Sequence, residues 1–328
     1  MKKILGIGNA LVDILTLIDN DKILEDFDLP KGSMQLVDAE KSELIRSGTT
    51  KYKRIWSSGG SAANTIHGLA MLGLNTRFIG SVGKDEAGDL FESEMQKAGV
   101  DTILLRKDSQ TGTAVTLISP DSERTFATHL GAATEISSDD LCIDYFLGYD
   151  ILYLEGYLIT DFSFIETACR LAKDAGMTIA LDLASYNVVE FNLKSFQIII
   201  KRFVDILFAN ELEAKAYTGL DPLQALSRIS SSVEIAVLKT GAEGSIVSDH
   251  GNLLRIDPYP VKCNDTTGAG DLYASGFLFA YANGFDMSLC GKIGSFLAAK
   301  VIEIVGARMH DRTFAGIREE IRKMTGMR

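Results

Sequence analysis

Short apolar runs alternate with helix-length amphipathic segments through most of this chain, and that alternation limits the possible folds more than any other feature. Residues 3–8 read as a buried strand. Residues 61–72 read as a helix with Ile66, Leu69 and Ala70 on one face and Gly73 as its stop. Arg77–Gly80 reads as a short strand, and helix 86–98 follows with Leu90, Phe91, Met95 and Ala98 on its apolar stripe. The second half repeats the rhythm: strand Ile151–Leu154, helix 161–175, strand 177–182, strand 205–209, helix 211–218 and strand 234–239. Apolar runs this short, bounded by turn residues, suit parallel strands covered on both faces. The expected fold is α/β, a doubly wound and mostly parallel sheet flanked by helices.

Two stretches break the rhythm. Residues 12–38 and 103–130 alternate apolar and polar side chains, as in Thr113-Ala114-Val115-Thr116-Leu117-Ile118. They predict a second, smaller sheet that acts as a discontinuous lid, leaving 1–11, 39–102 and 131–328 as the core. Asp249-His250-Gly251-Asn252 marks a hairpin at the edge of the main sheet.

The net charge of −11 over 328 residues repels nucleic acid and anionic lipid at long range. A phosphate-bearing ligand must therefore meet a locally prepared site. The expected partner is a small molecule rather than nucleic acid or membrane, and the chain is expected to be cytoplasmic. Cys142, Cys169, Cys263 and Cys290 show no metal spacing and read as buried or half-buried free thiols.

Asp265-Thr266-Thr267-Gly268-Ala269-Gly270-Asp271 leads directly into a long apolar helix. The first N–H groups of that helix lack intrahelical partners, and the macrodipole is positive there. Gly268 and Gly270, with Ala269 between them, let the backbone close around an anion. Asp271 stands at the helix start, where it can take a proton from an attacking hydroxyl. Capping by Asp265 or Thr267 alone is the plainer reading of such a loop, but two aspartates bracketing Thr-Thr-Gly-Ala-Gly make the string specific.

That string matches the C-terminal signature of the ribokinase-like (PfkB-type) sugar and nucleoside kinases, and the resemblance runs essentially end to end. Ser58-Gly59-Gly60-Ser61-Ala62-Ala63-Asn64 resembles that family's glycine motif, and Gly80–Gly88 its following strand and turn. Asn210-Glu211-Leu212-Glu213 resembles its Asn-x-x-Glu motif, and Lys239-Thr240-Gly241-Ala242-Glu243-Gly244 its nucleotide-binding turn. The resemblance implies ATP and Mg²⁺, with Glu213 holding the metal through water. It implies that Asn210, Thr240, Gly241 and Gly244 meet the nucleotide. Asp265 and Thr267, with carbonyls near Gly306, become candidates for a monovalent cation such as K⁺. Arg124 is the lid cation expected to face the transferring phosphate.

The segment Gly8–Asp13, the stretch Lys31–Asp38 and Leu154-Glu155-Gly156-Tyr157-Leu158 look closest to the adenosine-kinase branch. That resemblance implies Asn9, Asp13, Gly60 and Asn64 on a ribose, with Gly59 and Gly60 letting the backbone approach the substrate. It implies Met34, Leu36, Phe126, Leu130 and Tyr157 against a base, although the lid residues could equally form the lid's own core. Fructokinase or ribokinase chemistry stays open, as do a silent binding protein on the same fold and a monomer or homodimer. Gly6-Ile7-Gly8-Asn9-Ala10-Leu11 lacks the third glycine of a dinucleotide fingerprint, and no Gly-x4-Gly-Lys-Ser/Thr occurs. His67, His129, His250 and His310 show no metal spacing, and Trp56 reads as packing.

Overall fold

The computed structural model describes residues 1–121 and 123–327. Its strands are β1 (Ile4–Ile7), β2 (Leu11–Leu17), β3 (Met34–Leu36), β4 (Lys53–Gly59), β5 (Thr76–Gly83), β6 (Val100–Lys107), β7 (Thr111–Ile118), β8 (Arg124–Gly131), β9 (Ile151–Glu155), β10 (Thr178–Asp182), β11 (Ile206–Asn210), β12 (Ile235–Lys239), β13 (Ser245–Asp249) and β14 (Asn252–Ile256). Nine of them form one sheet in the order β14-β13-β12-β11-β10-β9-β1-β5-β6. From β12 to β6 every pairing is parallel, and β13 and β14 add an antiparallel edge. His250 and Gly251 both have positive φ, as the expected hairpin turn requires.

Side chains alternate between two cores. Ile4 joins the helices Ser61–Met71, Ala269–Ala282 and Met287–Val301 on one face. Leu5 and Ile7 join Phe162–Asp174 and Leu193–Phe203 on the other. Each fully buried Leu or Ile contributes about 1.5–3 kcal/mol, so a strand flanked on both sides is held by every residue. Helices on both faces of a mostly parallel sheet are the expected doubly wound arrangement.

The second sheet has the order β3-β8-β7-β2-β4. Val12, Ile14, Val115, Leu117 and Ala127 face Ile45 of the helix Ala39–Gly48 and Ile23 and Leu24 of the segment Lys22–Asp26. Sheet membership differs from the sequence expectation at two places. β4 belongs to the second sheet although 39–102 read as core, and β6 belongs to the main sheet although 103–130 read as lid. Both are edge strands, so each shows the half-exposed pattern that hides which sheet it joins. Two cysteines also differ from expectation. Cys142 and Cys263 are exposed, whereas Cys169 and Cys290 are buried.

Candidate active site

The C-terminal ends of the parallel strands converge. β1 runs on into Asn9, β9 ends on Glu155, β10 on Asp182, β11 on Asn210 and β12 on Lys239. Asp182 registers with Glu155, and Asn210 with Lys239. Open α/β sheets take ligands in the crevice beyond such ends. A cavity of about 470 Å³ lies there. Asp13, Gly60, Asn64 and Tyr157 line one part of it; Asn210, Glu213, Gly241 and the whole of Thr266–Asp271 line the rest.

Gly268 caps the helix Ala269–Ala282 with φ 77°, a left-handed conformation suited to glycine. A Cβ there would stand 2.6 Å from Cβ of Ala307. Ahead of it, Asp265 Oδ1 accepts from Thr267 N–H (2.9 Å) and from the Thr267 hydroxyl (2.7 Å), and Oδ2 accepts from Gly306 N–H. This network fixes the loop's curvature. Asp271 accepts from the Ser61 hydroxyl at 2.7 Å and from Asn64 Nδ2 at 2.9 Å. Burial pushes its carboxyl up to about 6, against the lowering effect of those two hydrogen bonds. A buried carboxylate of that strength is suited to accepting a proton near neutral pH.

Beside it, Glu155 is 1% exposed and accepts three hydrogen bonds. They come from Asn9 N–H (2.9 Å), Asn9 Nδ2 (2.6 Å) and Ala62 N–H (2.7 Å). Asn9 is thus turned onto Glu155 and does not line the cavity, contrary to the sequence expectation. Its place is second to that of Asp13, which does line it. Gly60 has φ 97°, and a Cβ there would strike Asn9 O at 2.1 Å. Gly59 is likewise packed against the Asp13 carboxylate, 2.5 Å from where its Cβ would be, and so shapes the site without lining it. Burial pushes Asp13 up to about 6, and Arg308 partly offsets this. Arg308 itself donates to Ser58 O at 2.7 Å.

The nucleotide-motif residues separate. Asn210 and Glu213 form a reciprocal cap of the helix Glu211–Thr218, with both Glu213 oxygens accepting from Asn210. Both Glu213 oxygens are thus already engaged, which suits a metal held through water rather than by direct ligation. Among the described residues, no cluster of three or more His, Cys, Asp or Glu is arranged to hold a metal. Thr240 N–H donates to Gly244 O at 2.9 Å, and these two residues close the turn while Gly241 lines the cavity. Arg124 differs from its expected place. It pairs with Asp265 and donates to the Thr267 hydroxyl at 3.2 Å, which ties the second sheet to the loop. Asp265 therefore already has a cation, and both its oxygens are engaged.

Met34, Leu36, Phe126 and Leu130 do not line this cavity either; Leu36 and Leu130 line a neighbouring one of about 640 Å³. Strand register puts Asp13, Ala114, Thr128 and Leu36 in one row, and Phe126 beside Met34 in the next. These side chains share the Asp13 face of the second sheet, opposite its core. Met34 is 53% and Leu36 67% exposed. Trp56 packs beneath the guanidinium groups of Arg46 and Arg54, and half-buried His67 packs edge-on to Phe314.

Ser61, Glu155, Asp182, Lys239 and Arg308 belong to this constellation, and no sequence signal singles them out. Ser61, Glu155 and Lys239 lie inside recognisable motifs, but nothing in the string says which partner each meets.

A pfkB family carbohydrate kinase model matches residues 33–312. The adenosine kinase of Sinorhizobium meliloti is 33% identical, with 97% of this chain and 99% of that one covered at a TM-score of 0.88. A probable sugar kinase of Rhizobium etli is 32% identical, with 99% and 98% covered at 0.87. An uncharacterized sugar kinase of Archaeoglobus fulgidus is 30% identical over 74% of this chain and 96% of its own length. Fold, strand-end crevice and these matches together define an ATP-dependent kinase acting on a hydroxyl group. The chain belongs to the pfkB carbohydrate kinase family.

Proposed function

We propose that this kinase transfers the γ-phosphoryl group of ATP to the 5′-hydroxyl of a nucleoside, with adenosine as its preferred acceptor. One observation carries the choice: the lid face that bears Asp13 is apolar and open, with Met34 and Leu36 more than half exposed, while the lid's own core lies on the other face. A free sugar has no use for flat apolar walls, whereas a purine requires them. In this reading Asp13 and Asn64 take the ribose; the buried Asn64 Oδ1 has no partner among the described residues and can accept from a hydroxyl. Tyr157 and the apolar lid residues meet the base as the lid closes.

Asp271 removes the proton from the attacking hydroxyl. The N–H groups of Gly268–Gly270 receive the transferring phosphoryl group, and Asn210 and Gly241 border the nucleotide. Glu213 would hold Mg²⁺ through water, and the metal would supply neutralisation of phosphate charge. A monovalent cation has less support, because Arg124 pairs with Asp265. Four free cysteines suit a cytosolic setting.

A sugar kinase is the second reading, favoured by the likeness to the Rhizobium etli protein. Turnover of adenosine, other nucleosides, ribose and fructose with ATP tests both. Adenosine should give the highest kcat/KM, and a preference for fructose or ribose would replace the first reading with the second.

A further inference from the structure

The cavity is short of positive charge. Asp13, Asp182, Glu213 and Asp271 line it, and among the described residues that line it Lys239 is the one cation. A triphosphate brings roughly four further negative charges, of which one Mg²⁺ offsets two. Arg124 is held on Asp265, outside the lining.

Lys239 is placed to supply the difference. It is the last residue of β12, next in register to Asn210. A Cβ on Gly270 would lie 3.2 Å from Lys239 Nζ, so the ammonium stands directly beside the glycine loop. It donates to Asp182 Oδ2 at 2.6 Å. The other oxygen of Asp182 accepts from Ala184 N–H at 3.0 Å. Ala184 has φ 65°, and Ser185 N–H closes on Leu183 O at 2.8 Å, so Asp182 also steadies a tight turn on the cavity wall. An ammonium has three donors, and one bond to Asp182 leaves two. Burial works against the charge on Lys239, but Asp182 and Glu213 outweigh it and hold the ammonium above its ordinary range.

We propose that Lys239 is a catalytic residue that donates to a non-bridging oxygen of the transferring phosphoryl group while Asp182 orients it. Lys239 keeps its proton throughout. The bonds that change are those of the kinase reaction alone: the γ-phosphorus leaves the ADP oxygen and joins the acceptor oxygen, whose proton goes to Asp271. The inference rests on the glycine loop being the phosphate site.

A simple ion pair between the ends of β10 and β12 is the alternative. The test compares Lys239→Met with the doubly neutral Asp182→Asn/Lys239→Gln, which removes the ion pair as a unit and leaves Asp182 with no charge to orphan. In both, kcat/KM for ATP should fall about 100-fold with the KM of the acceptor little changed. Calorimetry on the full chain should show affinity for a non-hydrolysable ATP analogue falling at least tenfold more than affinity for ADP. The doubly neutral variant decides between the alternatives even if Lys239→Met fails to fold. Wild-type kcat/KM in that variant, or equal losses for ADP and the analogue, would overturn the proposal. The calorimetry needs no acceptor, so a wrong choice of acceptor cannot imitate this outcome. If the wild-type chain bound neither nucleotide, the phosphate site itself would be misplaced and the proposal would fall with it.

Discussion

At the scale of single residues, Asp271 is defined by what holds it. Burial raises its carboxyl to about 6, so the ionised form is lost as pH falls through that value. The acid limb of log kcat/KM against pH should bend near 6. Asp271→Asn should lower kcat about 10²–10⁴-fold and remove that bend; near-normal turnover would exclude Asp271 as the base. Glu155 is a positioning residue, raised to about 7 chiefly by burial. Glu155→Gln sets an amide N–H₂ among three donors and should cost about 1–3 kcal/mol. Its signature is a split: the acceptor KM rises while kcat changes little, and the wild-type rise in acceptor KM below pH 7 disappears. An unchanged KM would make Glu155 a stability device alone. The proposed base is legible in the sequence because its loop is contiguous. Glu155, Asp182 and Lys239 are not, because their meaning lies in contacts between separate strand ends. Arg124 meets a different anion from the expected one for a related reason, since a lone arginine's sequence position does not tell which anion it faces.

At the scale of elements, the start of the helix Ala269–Ala282 is the most constrained junction. Gly268 combines a left-handed φ with close contact to Ala307. Gly268→Ala should cost about 1–3 kcal/mol from backbone conformation, with the steric contact added. Denaturant titration would show it as a lower midpoint, and an unchanged midpoint would mean that the loop relaxes freely. Interior strands of the main sheet are legible in the sequence because both faces are buried and their apolar runs are continuous. β4 and β6 trade places between the expected and the observed sheets because an edge strand carries the same alternation wherever it pairs. The sequence signal reports exposure, and exposure does not identify a neighbour.

At the scale of the molecule, the site gathers acid at a cost in stability. Asp13 and Asp271 are raised to about 6, and Glu155 and Glu213 to about 7, burial being the largest cause in each. Between the ordinary carboxylate range and these values the folded chain binds more protons than the unfolded chain, so stability falls as pH rises. The thermal midpoint should therefore decline from about pH 4 to about pH 7, and a rising midpoint across that window would contradict the burial of these groups. Magnesium nucleotide should offset the decline by binding the folded state.

The two groups that hold Asp271 lie 210 and 207 residues before it in the chain. A ribosome making this protein has therefore released Ser61 and Asn64 long before their partner exists. Through most of synthesis the nascent chain carries these two side chains with no carboxylate for them to hold. Competence arrives only when the last fifth of the polypeptide emerges and its helix docks. A chain interrupted before residue 271 would be inert toward ATP transfer however well its first half had folded.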